Sequence, residues 1–163
     1  MTFAQRLAQI FGWAFIAIGL VGFFVTGGSM EASHVMAPKL LGIFPLNVLH
    51  NIVHLLFGIW GIVACRWLGS TRMYLLGAGV IYLLLAALGT VAPDGFGLVP
   101  IGGSDVALHI FLALGLLASS VIARRSVALP PLADARDPDP RTAGSANAAG
   151  RGPDNRSADN LRR

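Results

Sequence analysis

Apolar residues run through this chain in four blocks: Leu7 to Val25, Leu46 to Cys65, Met73 to Val91 and Val106 to Ala123. Each is about 18 to 20 residues long, which at about 1.5 Å per residue matches a hydrocarbon core of about 30 Å. None contains Asp, Glu, Lys or Arg. A bilayer admits only helices and closed barrels as spanning forms, and no block shows the strict alternation of a barrel strand. The pattern predicts an all-α fold, a four-helix transmembrane bundle occupying residues 1–125.

After Arg125 the pattern stops. Residues 126–163 carry Pro130, Pro131, Pro138, Pro140 and Pro153 among small residues and mixed charges, with almost no bulky apolar side chains. Such a segment buries too little surface to offset its ordering entropy, so the expectation is a disordered cytoplasmic tail. Asn155-Arg156-Ser157 fits the glycosylation pattern, but carries no meaning in a cytoplasmic segment.

Composition agrees with the pattern. Hydrophobic residues make up 55% of the 163 and charged residues 12%, against roughly 25% charged in an average soluble domain. A soluble surface needs more polar cover than that. The pI of about 10.2 raises nucleic acid as a partner, but the basic residues form no patch and that partner is excluded. Arg6, Lys39, Arg66, Arg72, Arg124 and Arg125 flank the apolar blocks, and the remaining basic residues alternate with Asp in the tail. Cys65 is the single cysteine, which rules out an intrachain disulfide and reads as a small buried apolar residue.

The flanking charges set an orientation. Arg6 precedes the first block, Arg66 and Arg72 bracket the turn between the second and third, and Arg124 and Arg125 follow the fourth. The positive-inside rule then places both termini in the cytoplasm of a cell bounded by this inner (plasma) membrane, with the first and third loops outside. A cleaved signal peptide, with Val35-Met36-Ala37 as its cleavage site, is a minor alternative: the apolar run is too long and Pro38 would follow the cut. Glycines within the spans suit close helix packing, as in a seam from Gly115 to Ser119. The bilayer is the expected partner, along with a second copy of the chain or another membrane protein.

One stretch breaks the apolar monotony. In Asn47-Val48-Leu49-His50-Asn51-Ile52-Val53-His54, His50 and His54 are four apart, as are Asn47 and Asn51, so all four lie on one polar stripe of a helix. The fourth block opens with Ser104-Asp105-Val106-Ala107-Leu108-His109, where Asp105 and His109 repeat the spacing. His50 lies about 6 Å below Leu46 along its helix and His109 about 5 Å below Val106, so the two share a depth in the outer leaflet. His34, in the first loop, reads as solvated.

Three readings of this cluster stay open. In the first, neutral histidines with Asn and Asp fix helix packing, and Asn47 and Ser104 cap their helices. In the second, His50, His54, His109 and Asp105 bind a transition metal, or two opposed histidines ligate haem, with Asp105 or Asn51 as supporting acceptor. In the third, the cluster relays protons or passes a small solute, which in a four-helix chain requires an oligomer. No nucleophile–base pair, cofactor fingerprint or nucleotide loop is present, so the chain is not read as an enzyme. It reads as a small multi-pass membrane protein with a structural or interaction role, and a metal- or haem-binding protein is the alternative.

The run Leu41 to Gly58 resembles a bacterial four-helix membrane family classed as a domain of unknown function. That family's second helix carries an N-P-L-H-N-x-x-H pattern and its fourth helix opens with D-N-x-L-H. Asn47, Leu49, His50, Asn51, His54, Asp105, Leu108 and His109 match, while Val48 stands for the usual Pro and Val106 for the usual Asn. The resemblance covers Leu7 to Arg125 and implies a four-helix fold, with no activity attached.

Overall fold

The computed structural model describes residues 1–128, so the tail expected over 126–163 lies, beyond Ala128, outside the described residues. The described residues form one compact unit. Four helices make it: α1 (Phe3–Thr26), α2 (Val48–Ala64), α3 (Leu68–Val91) and α4 (Ser104–Ala128). Between α1 and α2 lie two short strands, β1 (Lys39–Leu40) and β2 (Phe44–Pro45), paired antiparallel. A single 3₁₀ turn (Gly95–Gly97) interrupts the loop between α3 and α4.

α1 begins with a capping box: Thr2 Oγ1 accepts from the Gln5 amide, and Gln5 Oε1 accepts from the Thr2 amide at 2.7 Å. It ends at Gly27, whose φ of 54° is the left-handed conformation glycine adopts without strain. α1, α3 and the segment Ser104–Arg124 of α4 are each long and apolar enough to cross a membrane. Their outward faces are mainly apolar, with Phe24 90% and Phe111 74% exposed. Side chains of that size left outward are matched by lipid, not water. The chain is a membrane protein.

α2 departs from the expected span of 46–65. It has 17 residues, about 25 Å of helix, because residues 44–47 are extended. Phe44 and Pro45 pair with β1, the Leu46 amide donates to the Pro38 carbonyl at 2.8 Å, and Asn47 keeps φ at −139°. The helix therefore starts two residues later than Leu46. Its outward stripe of Ile52, Leu56, Ile59 and Val63 is exposed like that of its neighbours. The turn before α3 is also tighter than expected. α3 starts at Leu68, Arg72 lies inside it, and Thr71 Oγ1 donates back to the Ala64 carbonyl at 3.0 Å.

The helices associate as two tight hairpins. α1 packs mainly on α2 and α3 on α4, while α2 and α3 meet over a smaller surface. Gly12 and Gly58 make the α1–α2 approach, since a Cβ on Gly58 would lie 2.8 Å from the Gly12 carbonyl oxygen. The seam expected from Gly115 to Ser119 is not a backbone contact of this kind. Gly115 faces the Phe11 ring, and the Ser119 hydroxyl donates to the Gly115 carbonyl of its own helix at 2.7 Å. The core between the hairpins holds Phe15, Tyr74, Leu75, Tyr82, Ala113 and Leu116.

At one end of the bundle the first and third loops are joined. The His34 amide donates to Asp94 Oδ1 at 2.9 Å, and His34 Nδ1 lies 2.7 Å from the same oxygen. His34 is thus a loop tie, not the solvated residue expected. The Ser104 hydroxyl, expected to cap α4, donates instead to the Ile43 carbonyl at 2.6 Å. Both bonds come from residues whose partners lie about sixty positions away in sequence, which is why local reading could not find them.

Candidate functional site

Asn47 starts the site. Its extended backbone turns the side chain back over α2, where Oδ1 accepts from the His50 amide at 2.8 Å. The same amide reaches outward, and Nδ2 donates to the Leu98 carbonyl at 2.8 Å. One turn on, Asn51 Nδ2 donates to Thr26 Oγ1 at 3.1 Å, tying α2 to the end of α1. The Asn51 side chain occupies the space that a Cβ on Gly22 would need. Both asparagines are wholly buried, and each bridges α2 to another part of the chain.

These two ties hold the first turns of α2 in place, and the helix period carries His50 and His54 to the same interior face. Their rings stack at 4.7 Å between centroids and 11° between planes. α4 runs in the same direction as α2, and its first turns deliver Asp105 and His109 at the same level. The His50 and His109 ring centroids are 6.1 Å apart. The shared depth expected from the two helix registers is what the structure shows. All four groups are buried, Asp105 and His109 to 1% exposure.

The atoms converge. Asp105 Oδ2 lies 3.4 Å from His109 Nε2 and 3.9 Å from His50 Nε2. One ligand atom from each of His50, Asp105 and His109 falls within 4.8 Å of the others. His54 stands outside that set, stacked between His50 and the Phe15 ring at 5.9 Å. Asp105 Oδ2 and the Nδ1 atoms of His50, His54 and His109 make no hydrogen bond of good geometry. The backbone carbonyls of Pro45 and Pro100 approach the His50 ring. Buried polar atoms are paired in the great majority of cases, so a group of unpaired ones in one place calls for a reason.

Sequence reading missed the floor of the site. Tyr82 of α3 meets the His109 ring edge-on at 5.2 Å and stacks with Phe15 at 5.3 Å, closing the cluster from below. Its signal was faint: one of two tyrosines in an apolar block. The cluster lines a cavity of about 250 Å³ between α2, α3 and the third loop. Facing α1 and the first loop, a second cavity of about 230 Å³ is lined by His54 and Asp105 with Ile18, Phe44, Leu46 and Leu108. In the loops, the His34 ring and amide hold the Asp94 carboxyl below the usual carboxylate range.

A family model described as Domain of unknown function (DUF4383) matches residues 5–122. The chain belongs to that family. The match takes in every residue of the cluster and ends before the tail. No curated protein and no solved structure matches the chain. Membership in the DUF4383 family attaches no chemistry to the histidines.

Proposed function

We propose that this DUF4383 protein holds a divalent transition-metal ion inside its bundle, on His50, Asp105 and His109. One observation carries the reading: two buried imidazole Nε2 atoms aim at one buried carboxylate oxygen that has no hydrogen bond. Bonds of about 2.1 Å to a tetrahedral ion set ligand atoms about 3.4 Å apart. The Asp105–His109 pair already has that spacing, and the remaining separations, all within 4.8 Å, close with a shift of roughly 1 Å, within side-chain rotation. Two histidines and a carboxylate suit zinc or ferrous iron, and a further position stays open to water or a ligand. The Pro45 and Pro100 carbonyls lie beside the His50 ring, within a small rotation of giving it the supporting acceptor that a ligating histidine uses. Haem fits less well, because Asp105 Oδ2 stands 3.4 and 3.9 Å from the two Nε2 atoms, in the space a porphyrin would need.

Metal analysis of protein purified in mild detergent without chelator tests this reading. About one ion per chain is expected in the wild type, background levels in Asp105→Asn and His109→Ala, and wild-type content in the loop variant His34→Ala. Equal metal content in wild type and Asp105→Asn overturns it. The second reading, polar packing alone, draws on the bridges made by Asn47 and Asn51.

The flanking arginines support an orientation with both termini in the cytoplasm and the metal site in the outer leaflet of the plasma membrane. Reporter fusions after Arg72 and Arg125 should read cytoplasmic and one after Gly95 external. A reversed signal at any of the three sinks that orientation.

A further inference from the structure

The metal reading uses three of the cluster's ionisable side chains and leaves His54 without a task. Within the fold His54 is far from idle: it lines both cavities flanking the cluster. The larger is walled by Val53, Leu85, Leu88, Leu98 and Val99, with Tyr82 and Phe96, and its polar groups come chiefly from His50, His54 and His109. An apolar cavity of about 150 Å³ holds a benzene ring without admitting water. At about 250 Å³, this one has room for a single ring and a short substituent.

Its mouth has a feature of its own. Phe96 takes φ of 58°, a left-handed conformation uncommon for a bulky residue, between Gly95 and Gly97, which also have positive φ. The ring of Phe96 is 80% exposed, and Leu98 beside it 59%. Strained backbone is found preferentially at ligand clamps, active sites and switch regions. The gap itself follows from the architecture, because α2 and α3 belong to different hairpins and meet over little surface.

We propose that this cavity binds a small, monocyclic, largely apolar molecule carrying one hydroxyl, with His54 as its hydrogen-bond partner. The chemistry follows from the wall. Carbon lining stabilises the ring by burial, and the His54 imidazole on the cavity wall, with the His50 backbone carbonyl beside one ring nitrogen, has its second nitrogen left to pair with a hydroxyl. A molecule with several polar groups would leave most of them unpaired against leucine and valine. The site borrows the histidine wall of the metal reading and stands without the ion.

The full chain in lipid nanodiscs, probed by fluorine NMR with para-trifluoromethylphenol and with para-trifluoromethyltoluene, tests this. The wild type should bind the phenol roughly five- to tenfold more tightly than the toluene, the worth of one hydrogen bond. His54→Phe should retain toluene binding and bring the phenol down to it. Leu88→Trp should lose both, and Val99→Trp provides the same filling from the loop should the helix variant fail to fold. Equal binding of the two probes by wild type, or unchanged binding in both filled variants, overturns the proposal. Metal content read on the same samples separates the two readings. Phenol selectivity in metal-free protein sinks the ion alone, and bound metal without selectivity sinks the cavity ligand alone.

Discussion

Asn47 and Asn51 sit on the same helix face as His50 and His54, in the same few turns, yet the structure treats the two pairs differently. The asparagines are bonded outward: to the third loop through Leu98 and to α1 through Thr26. The histidines and Asp105 face inward, toward one another and two cavities, with unpaired atoms. An amide pairs with a backbone carbonyl or a hydroxyl wherever one is in reach, and so locks a helix to its surroundings. Imidazole and carboxylate groups left facing each other without hydrogen bonds stabilise little by themselves. One polar stripe thus holds a scaffold and the group that scaffold positions.

If that division is right, damage to the scaffold should appear as lost stability. The largest effect is expected at Gly22, because a methyl group there would collide with the Asn51 amide. Gly22→Ala should lower stability in detergent by about 2–3 kcal/mol, the upper part of the range for forcing an extra carbon into a packed interior, measured as a fall in thermal midpoint. A neutral result would mean that Asn51 rearranges freely, and the comparison would lose its firmest half.

Next in size is a paired test. Asn47→Ala removes a helix cap and the bond to Leu98, and should cost about 1–2 kcal/mol. Asp105→Asn, in the presence of chelator, should cost less than about 1 kcal/mol, because its carboxylate makes no hydrogen bond to lose through Oδ2. Denaturant unfolding of the two variants side by side decides it. A larger loss from Asp105→Asn than from Asn47→Ala would make the carboxylate part of the scaffold.

Much of this was legible in the sequence, and for physical reasons. Spans announce themselves because lipid tolerates neither charge nor unpaired backbone, so four apolar blocks give four helices. The cluster was legible because helix period and a common starting depth bring His50 and His109 together by arithmetic. What escaped was everything carried by loops. The late start of α2 comes from a two-residue strand pairing, and the His34–Asp94 tie joins residues sixty positions apart. The separation of His54 from the other three also escaped, since periodicity names a face but not which atoms on it converge.

The smallest expected effect concerns that loop tie. Asp94 is held below the usual carboxylate range by the His34 ring first and the His34 amide second. A carboxyl lowered in the folded state favours the docked loops at pH above its ordinary value, about 3.9. That contribution fades as the pH drops through the lowered value. The ends of the two loops should therefore stay docked across the neutral range and loosen only in strong acid. The chemical shift of the His34 amide proton reads this directly, because that proton is bonded to the titrating oxygen at 2.9 Å. Its acid titration should have a midpoint below about 3.9 and should vanish in Asp94→Asn. A midpoint at or above the ordinary value would mean that the tie does not favour the ionised carboxylate. In that case the cluster below would keep its place through Asn47 and Asn51 alone, and the scaffold would be narrower than the loops suggest.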